Sequence, residues 1–390
     1  MTTLLATIIV LGVLVTIHEY GHFIAARSVG IKVEKFSVGM PPRFLTITST
    51  DDAFLLKLFF FKKDTNGKLI WAPIFQSSIV RPGRVGSKTE YVIALLPLGG
   101  YVKMAGIIDE SIDTKINYKD DEFMSKPLWA KLWVMSAGVI MNTILAFIIF
   151  SSIGYYQGAA KISDEPFIAE IIEEMPAEKA GLLVGDRVLK INDKAIYTWS
   201  DLTKTIHQKP DEEIKLKIDR NGEILNFNVT TTLREIPNKN GTSNVGAIGI
   251  IPQIIYDEMT LPEALNSGII RTLGSFAMIV ESLRMLGSGA ASVSDFGGPI
   301  MIAQLAGKTA EAGMIPFFTF MALLSVNLAF LNILPIPGLD GGHIFIHLLE
   351  GIINRPLPLK ARITIQQLGM TFLLILMVTI IFQDITRLFN

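Results

Sequence analysis

The chain has 390 residues, half of them hydrophobic and only 18% charged, with a formal net charge of -1. This balance suits a membrane protein, and with no basic excess the chain is not built to neutralise phosphates, which excludes a nucleic-acid binder. It has no cysteine, so disulfides, thiolate catalysis and cysteine-held zinc are excluded, and any metal must be held by histidine, carboxylate or carbonyl groups.

The first element is a transmembrane helix, assigned to residues 1–30. From Met1 to Ile17 there is no charge, and the apolar run is long enough to cross a hydrocarbon core of about 30 Å. A cleaved signal peptide fits poorly, because no basic residue precedes the run. Its end carries "TIHEYGHFIAA" (16–26), with His18, Glu19 and His22. Ionisable groups at membrane depth are costly and usually functional. His18 and His22 are four apart, so on a helix they share one face. At that spacing two imidazoles bind one zinc ion, with Glu19 beside them as a potential general base.

Residues 31–128 read as a cytoplasmic, membrane-associated region with a β-hairpin-like segment, "FLLKLFFFKKDTNGKLIW". A second transmembrane helix is predicted over 129–160. Residues 163–235 then change character. "PAEKAGLLVGDRVLKINDKAI" predicts a short helix, a glycine turn and an alternating strand, and "WSDLTKTIHQ" a second helix capped by Ser200. "IKLKIDRNGEILNFNVT" predicts two strands joined at Asn221-Gly222, a strong hairpin signal. The pattern is that of a compact α+β module inserted between spans.

Residues 236–313 form a connecting region. Within it Ala264 to Leu283 is apolar but carries Arg271 and Glu281, which suits an interfacial or extracytoplasmic helix better than a span. A third transmembrane helix is predicted over 314–342 and a fourth over 363–384. Basic residues follow the first span (Arg27, Lys32, Lys35), precede the second (Lys126, Lys131) and lie between the third and fourth (Arg355, Lys360, Arg362). The positive-inside rule therefore puts both termini and the inserted module outside the cytoplasm.

A catalytic zinc ion wants three protein ligands and an open position. The third candidate is Asp340, in "LNILPIPGLDGGH" (331–343), where it ends the third apolar run at a depth similar to His18. Prolines and glycines around it predict irregular backbone, which is tolerated at membrane depth where it lines a wet site. His343 and His347 are rival ligands beyond the helix break. They are read as structural or supporting residues, since a carboxylate is an established partner of a histidine pair.

"HEYGH" on a first span with "NILPIPGLDGG" on a third resembles the site-2 protease family of intramembrane zinc metalloproteases, and most of all its bacterial branch that includes the regulator of sigma-E protease. "KTEYVIALLPLGGYVKMAG" (88–106), "FGGPIMIAQLAGKTAEAG" (296–313) and "LLSVNLAFLNILPIP" (323–337) are similar to that branch as well. Two features depart from it. The segment Thr48–Lys88 is longer than usual, and Val139 in "SAGVIMN" stands where the family has proline.

The resemblance implies a polytopic α-helical fold in a bacterial inner membrane, with a Zn2+ cofactor and cleavage of single-pass membrane proteins within or beside their transmembrane segments. Anti-sigma factors and remnant signal peptides are the substrates it suggests. It also implies that Asn327 and Asn332 bind freed substrate backbone, with Pro335 and Pro337 beside them. The "LLPLGGYVK" region with Gly99 and Gly100 would pair with the extended substrate as a strand. "EKAGLLVGDRVLKIN" resembles a PDZ domain of the circularly permuted bacterial type, a fold that captures peptide ends by β-addition. A spacer that filters bulky substrates is the other role for that module.

Two rival functions follow from the same residues. A catalytically silent scaffold would use the PDZ-like module to hold a partner without metal, although the intact His, Glu, His and Asp set counts against it. A transporter can also use broken helices and buried ionisable groups, but the spans show no internal repeat.

Overall fold

A computed structural model describes residues 2–63, 67–80, 86–107, 118–238, 241–290 and 297–389. The tip of the hairpin-like segment, 64–66, and Phe296 of the 296–313 motif lie outside the described residues. The chain divides into two compact units, Met1–Gly154 with Leu261–Asn390, and Tyr155–Thr260.

In the first unit, α1 (Thr2–Ser28), α2 (Leu128–Gln157), α7 (Met314–Ile333) and α9 (Leu359–Phe389) supply the helices long and apolar enough to cross a membrane. Each overlaps one of the four predicted spans, although α7 ends at Ile333, short of the predicted 342. Along α1 the buried residues Ala6, Val10, Leu14, His18 and His22 recur every four positions, forming one stripe. Other positions of the helix, Leu4, Ile9 and Val13 among them, are exposed. The stripe packs on Ala306 of α6 (Pro299–Ala312) and on Phe317 and Met321 of α7. Gly21 allows α1 and α2 to cross closely, since a Cβ there would come within 2.4 Å of the Ala137 carbonyl oxygen.

Residues 33–104 build a four-stranded antiparallel sheet in the order β3-β2-β1-β4, from β1 (Val33–Ser49), β2 (Ala53–Lys63), β3 (Leu69–Val80) and β4 (Glu90–Met104). Residues 48–88 supply β2 and β3, an antiparallel ribbon. β4 is used twice: Gly100–Met104 pairs with Val33–Val38, and Glu90–Ala94 with Arg43–Thr48. This doubling brings the strand that follows Gly99-Gly100 against α1.

The third apolar run is not one helix. α7 stops at Ile333, and Asp340 is the first residue of α8 (Asp340–Ile353) rather than the last of the preceding span. Pro335 and Pro337 cannot continue the hydrogen-bond ladder, and Gly338 takes a φ of 98°, which favours glycine. Gly341 and Gly342 let the new helix settle on the broken turn. A Cβ on either would lie 2.2–2.4 Å from the carbonyl oxygens of Ile333, Leu334 or Ile336. Asp384 of α9 accepts hydrogen bonds from the backbone N–H of Gly298, Ile300 and Met301, and so caps α6. The apolar stretch around Arg271 forms α5 (Leu261–Gly287), which is not among the span candidates.

The second unit is wider than the expected 163–235 because strands outside those limits close it. β5 (Ala159–Ile162) pairs with β14 (Ile254–Asp257), and β6 (Ile168–Ile171) with β13 (Ile250–Pro252). Between them lie the short helix α3 (Pro176–Lys179), β7 (Arg187–Ile191), β8 (Lys194–Ala195), α4 (Trp199–His207), β9 (Glu213–Arg220) and β10 (Glu223–Thr230). β11 (Thr232–Asn238) and β12 (Gly241–Ala247) form a further hairpin.

Strands β7 to β10 form one sheet. Alternation puts Ile214, Leu216 and Ile218 inward, against Val188, Leu202 and Ile206. Asn221-Gly222 makes the expected turn, both residues at positive φ. The cap of α4 is Thr198, not Ser200: its hydroxyl accepts from the Asp201 N–H, and the Asp201 side chain accepts from the Thr198 N–H.

Candidate metal centre

α1 and α8 bring three of the predicted site residues together. The Nε2 atoms of His18 and His22 are 3.2 Å apart, and Asp340 Oδ2 lies 3.0 Å from the first and 3.2 Å from the second. Both histidines are buried and Asp340 is half-buried. His343 and His347 are not part of this group. His347 is buried in α8, hydrogen-bonded through Nδ1 to Glu350 at 3.1 Å, and Glu350 also pairs with Arg362 at the start of α9.

Hydrogen-bond chemistry tests whether this group fits a cation. His22 Nδ1 lies 2.8 Å from the Val134 carbonyl oxygen, which can only accept, so Nδ1 carries a proton. In the neutral ring Nε2 then has only a lone pair to offer. Asp340 Oδ2 faces it as a second lone-pair atom, buried and engaged in no hydrogen bond. Lone pairs converging in a dry site call for a positive centre between them. Zinc ligands at roughly 2.0–2.2 Å in a tetrahedron stand about 3.3 Å from one another, close to the separations observed. Gly138 of α2 keeps the space clear, because a Cβ there would lie 2.6 Å from the Nε2 atoms of both histidines. The three residues fit zinc.

Glu19 adjoins His18 on α1 and is half-buried. The Val102 N–H donates to its Oε2 at 3.0 Å, so β4 holds one carboxylate oxygen and leaves the other available. Gly100 lets β4 lie close on β1, since a Cβ there would meet the Ser37 carbonyl oxygen at 2.6 Å. Gly99, with a φ of 93°, lines an apolar groove of about 420 Å³ together with Ile9, Val13, Val38 and Pro97.

The remaining predicted residues are not drawn into the triad. Asn327 is exposed on α7, and Asn332 is half-buried one turn later. Neither is hydrogen-bonded to the triad among the described residues. Pro335 and Pro337 form the helix break, and the Pro337 carbonyl packs against Gly369 of α9. Sequence reasoning missed what α2 contributes: Gly138, the Val134 carbonyl and Asn142, whose side-chain nitrogen lies 3.2 Å from His18 Nδ1. A glycine and an asparagine four apart in an apolar span were the available signal.

Comparison with known proteins bears on the family. The sequence model of peptidase family M50 matches residues 6–67 and 74–376. A Clostridium acetobutylicum chain named as a zinc metalloprotease is 31% identical over 383 residues, covering 98% of this chain and 97% of that one. The zinc metalloprotease RasP of Bacillus licheniformis is 27% identical over 464 residues, covering both chains fully. The regulator of sigma-W protease RasP of Bacillus subtilis is 27% identical over 462 residues, covering 99% of each.

Among solved structures, the PDZ domain of an SdrC-like protein from Listeria monocytogenes matches at 20% identity, covering 23% of this chain and 87% of that one. Its TM-score is 0.19, too low to carry weight, and the α+β character of the insert rests on its own strands and helices. The family match spans most of the sequence and includes the histidine motif, Asp340 and all or part of every span. This chain therefore belongs to peptidase family M50, the site-2 protease family, and is a multi-pass membrane zinc metalloprotease.

Proposed function

We propose that the protein hydrolyses peptide bonds within or next to the transmembrane segments of single-pass membrane proteins, with His18, His22 and Asp340 holding zinc and Glu19 as the base. The observation that carries the reading is the convergence of the two Nε2 atoms and Asp340 Oδ2 at 3.0–3.2 Å on a membrane-span helix. Zinc, when bound, supplies a Lewis acid that polarises a carbonyl and acidifies water.

The rest of the chemistry falls to the chain. Glu19 takes the proton of the attacking water and delivers it to the leaving nitrogen, and the Val102 N–H fixes its carboxylate for both transfers. A helical substrate hides its carbonyls in its own hydrogen bonds, so it must be opened before attack. β4 is the edge strand of its sheet and passes beside Glu19, which suits pairing with an extended substrate. Asn327 and Asn332 would bind backbone groups released by unwinding. Anti-sigma factors and remnant signal peptides are substrates of this kind, and the orientation we assign puts both termini and the insert outside the cytoplasm of a bacterial inner membrane.

The test is Glu19→Gln in the full-length protein, assayed on a reporter with a single transmembrane segment. Zinc content stays at one per chain, while cleavage falls by about 100-fold or more. Near-normal cleavage by the variant would overturn the assignment of the base.

A further inference from the structure

The two histidines of the centre are held differently at their outer nitrogens. His22 Nδ1 faces a backbone carbonyl, which can only accept, so its tautomer is fixed with Nε2 free. His18 Nδ1 faces the side-chain amide of Asn142, with Nδ2 at 3.2 Å. An amide nitrogen can only donate, and in that orientation it would hold the ring with the proton on Nε2, the wrong tautomer for a metal ligand. Asn142 is fully buried, and its Oδ1 has no hydrogen-bond partner. A buried acceptor left unpaired costs about 1–3 kcal/mol.

The tautomer conflict has a remedy. The two ends of an asparagine amide have nearly the same shape, and their assignment follows from the hydrogen-bond network. Turning the amide over places Oδ1 against His18 Nδ1. The ring then donates from Nδ1 to Oδ1, the amide NH2 takes the place the oxygen leaves, and the Nε2 lone pair faces His22 Nε2 and Asp340 Oδ2. α2 is well placed to hold this arrangement. The Asn142 backbone carbonyl accepts a hydrogen bond from Ser325 Oγ of α7 at 2.7 Å, so the residue is anchored between two spans.

We propose that Asn142 is a positioning residue of the metal centre: its side-chain oxygen accepts the Nδ1–H of His18 and so fixes the tautomer in which Nε2 binds zinc. The inference rests on the proposed ligand set of His18, His22 and Asp340. Partners of this kind, set behind a ligand, typically govern metal affinity by about 10–100-fold.

The test is a zinc competition titration against a chromophoric chelator, on full-length protein in detergent, and needs no activity. Asn142→Leu, similar in volume but unable to accept, weakens zinc binding about 10–100-fold. Asn142→Asp, which can only accept, binds zinc at least as tightly as the natural chain. A purely packing role moves both variants alike. Wild-type affinity in Asn142→Leu, or equal losses in the two variants, overturns the proposal. Should Asn142→Leu fail to fold, the Asp variant decides alone, since a loss of 10-fold or more there contradicts an acceptor role. A His18→Ala arm separates this failure from that of the ligand set: undiminished zinc binding by His18→Ala would refute the set itself.

Discussion

Gly138 lies directly against His18: a Cβ built on this glycine would stand 2.6 Å from the histidine Nε2, closer than unbonded atoms come, and equally close to the Nε2 of His22. α2 thus takes part in the centre by leaving room. Neither histidine can retreat, because both sit on the buried stripe of α1 and Gly21 pins that helix against Ala137.

Gly138→Ala should therefore injure metal binding before it injures the fold. Overpacking of this kind costs about 1–3 kcal/mol, which corresponds to a fall in zinc affinity of roughly 5- to 150-fold. Chelator competition measures it, and an unchanged affinity would contradict the geometry.

A pH effect is expected at α8. Burial, and then the nearby Arg362 charge, lower the His347 imidazole to about 4. The folded protein keeps this ring neutral, while the unfolded chain protonates it near the ordinary value of about 6.5. Stability is thus complete above pH 6.5 and is lost as pH falls from 6.5 toward 4, by on the order of 3 kcal/mol. His347→Gln should flatten that part of the thermal-unfolding profile. An unaltered slope would mean that another group sets it.

The insert offers a choice between two roles. A groove of about 370 Å³ lies between α4 and the Ile248–Pro252 segment, lined by Trp199, Ile206 and Ile250. We expect a filter: removing Tyr155–Thr260 and closing the gap with a short linker should leave cleavage of a trimmed substrate intact. Cleavage of a substrate with a large external domain should rise. Weakened turnover of the trimmed substrate through KM would instead assign peptide capture to the groove.

Orientation can be read with reporter fusions. Fusions after residue 120 should report cytoplasm, and those after 210 and 390 the outside. A cytoplasmic insert would contradict the orientation drawn from Arg27, Lys32, Lys126, Lys131 and Arg355.

The parts legible in the sequence are those encoded locally. Charge-free runs gave the four spans, the four-residue spacing gave the histidine face, and "PIPG" announced the break before Asp340. What escaped depends on partners far along the chain. Asn142 meets His18 across 124 positions, and a span asparagine does not name its partner. The insert's limits were drawn too narrow because β5 has four residues and is recognisable as a strand only through β14. The sheet of residues 33–104 was anticipated as a hairpin alone, since β1 and β4 double back and pair in two registers. Thr198 rather than Ser200 caps α4 because both polar residues flank Trp199, and only the backbone angle, extended at Thr198, separates them.

The central claim is that His18, His22 and Asp340 hold one zinc ion. The most direct measurement is anomalous diffraction from crystals of the full-length protein, recorded on both sides of the zinc absorption edge. The account predicts a single peak within about 2.0–2.2 Å of the two Nε2 atoms and an Asp340 carboxylate oxygen. A zinc peak at His343 or His347 in place of this position, or zinc-loaded protein with no peak between the three, would contradict it.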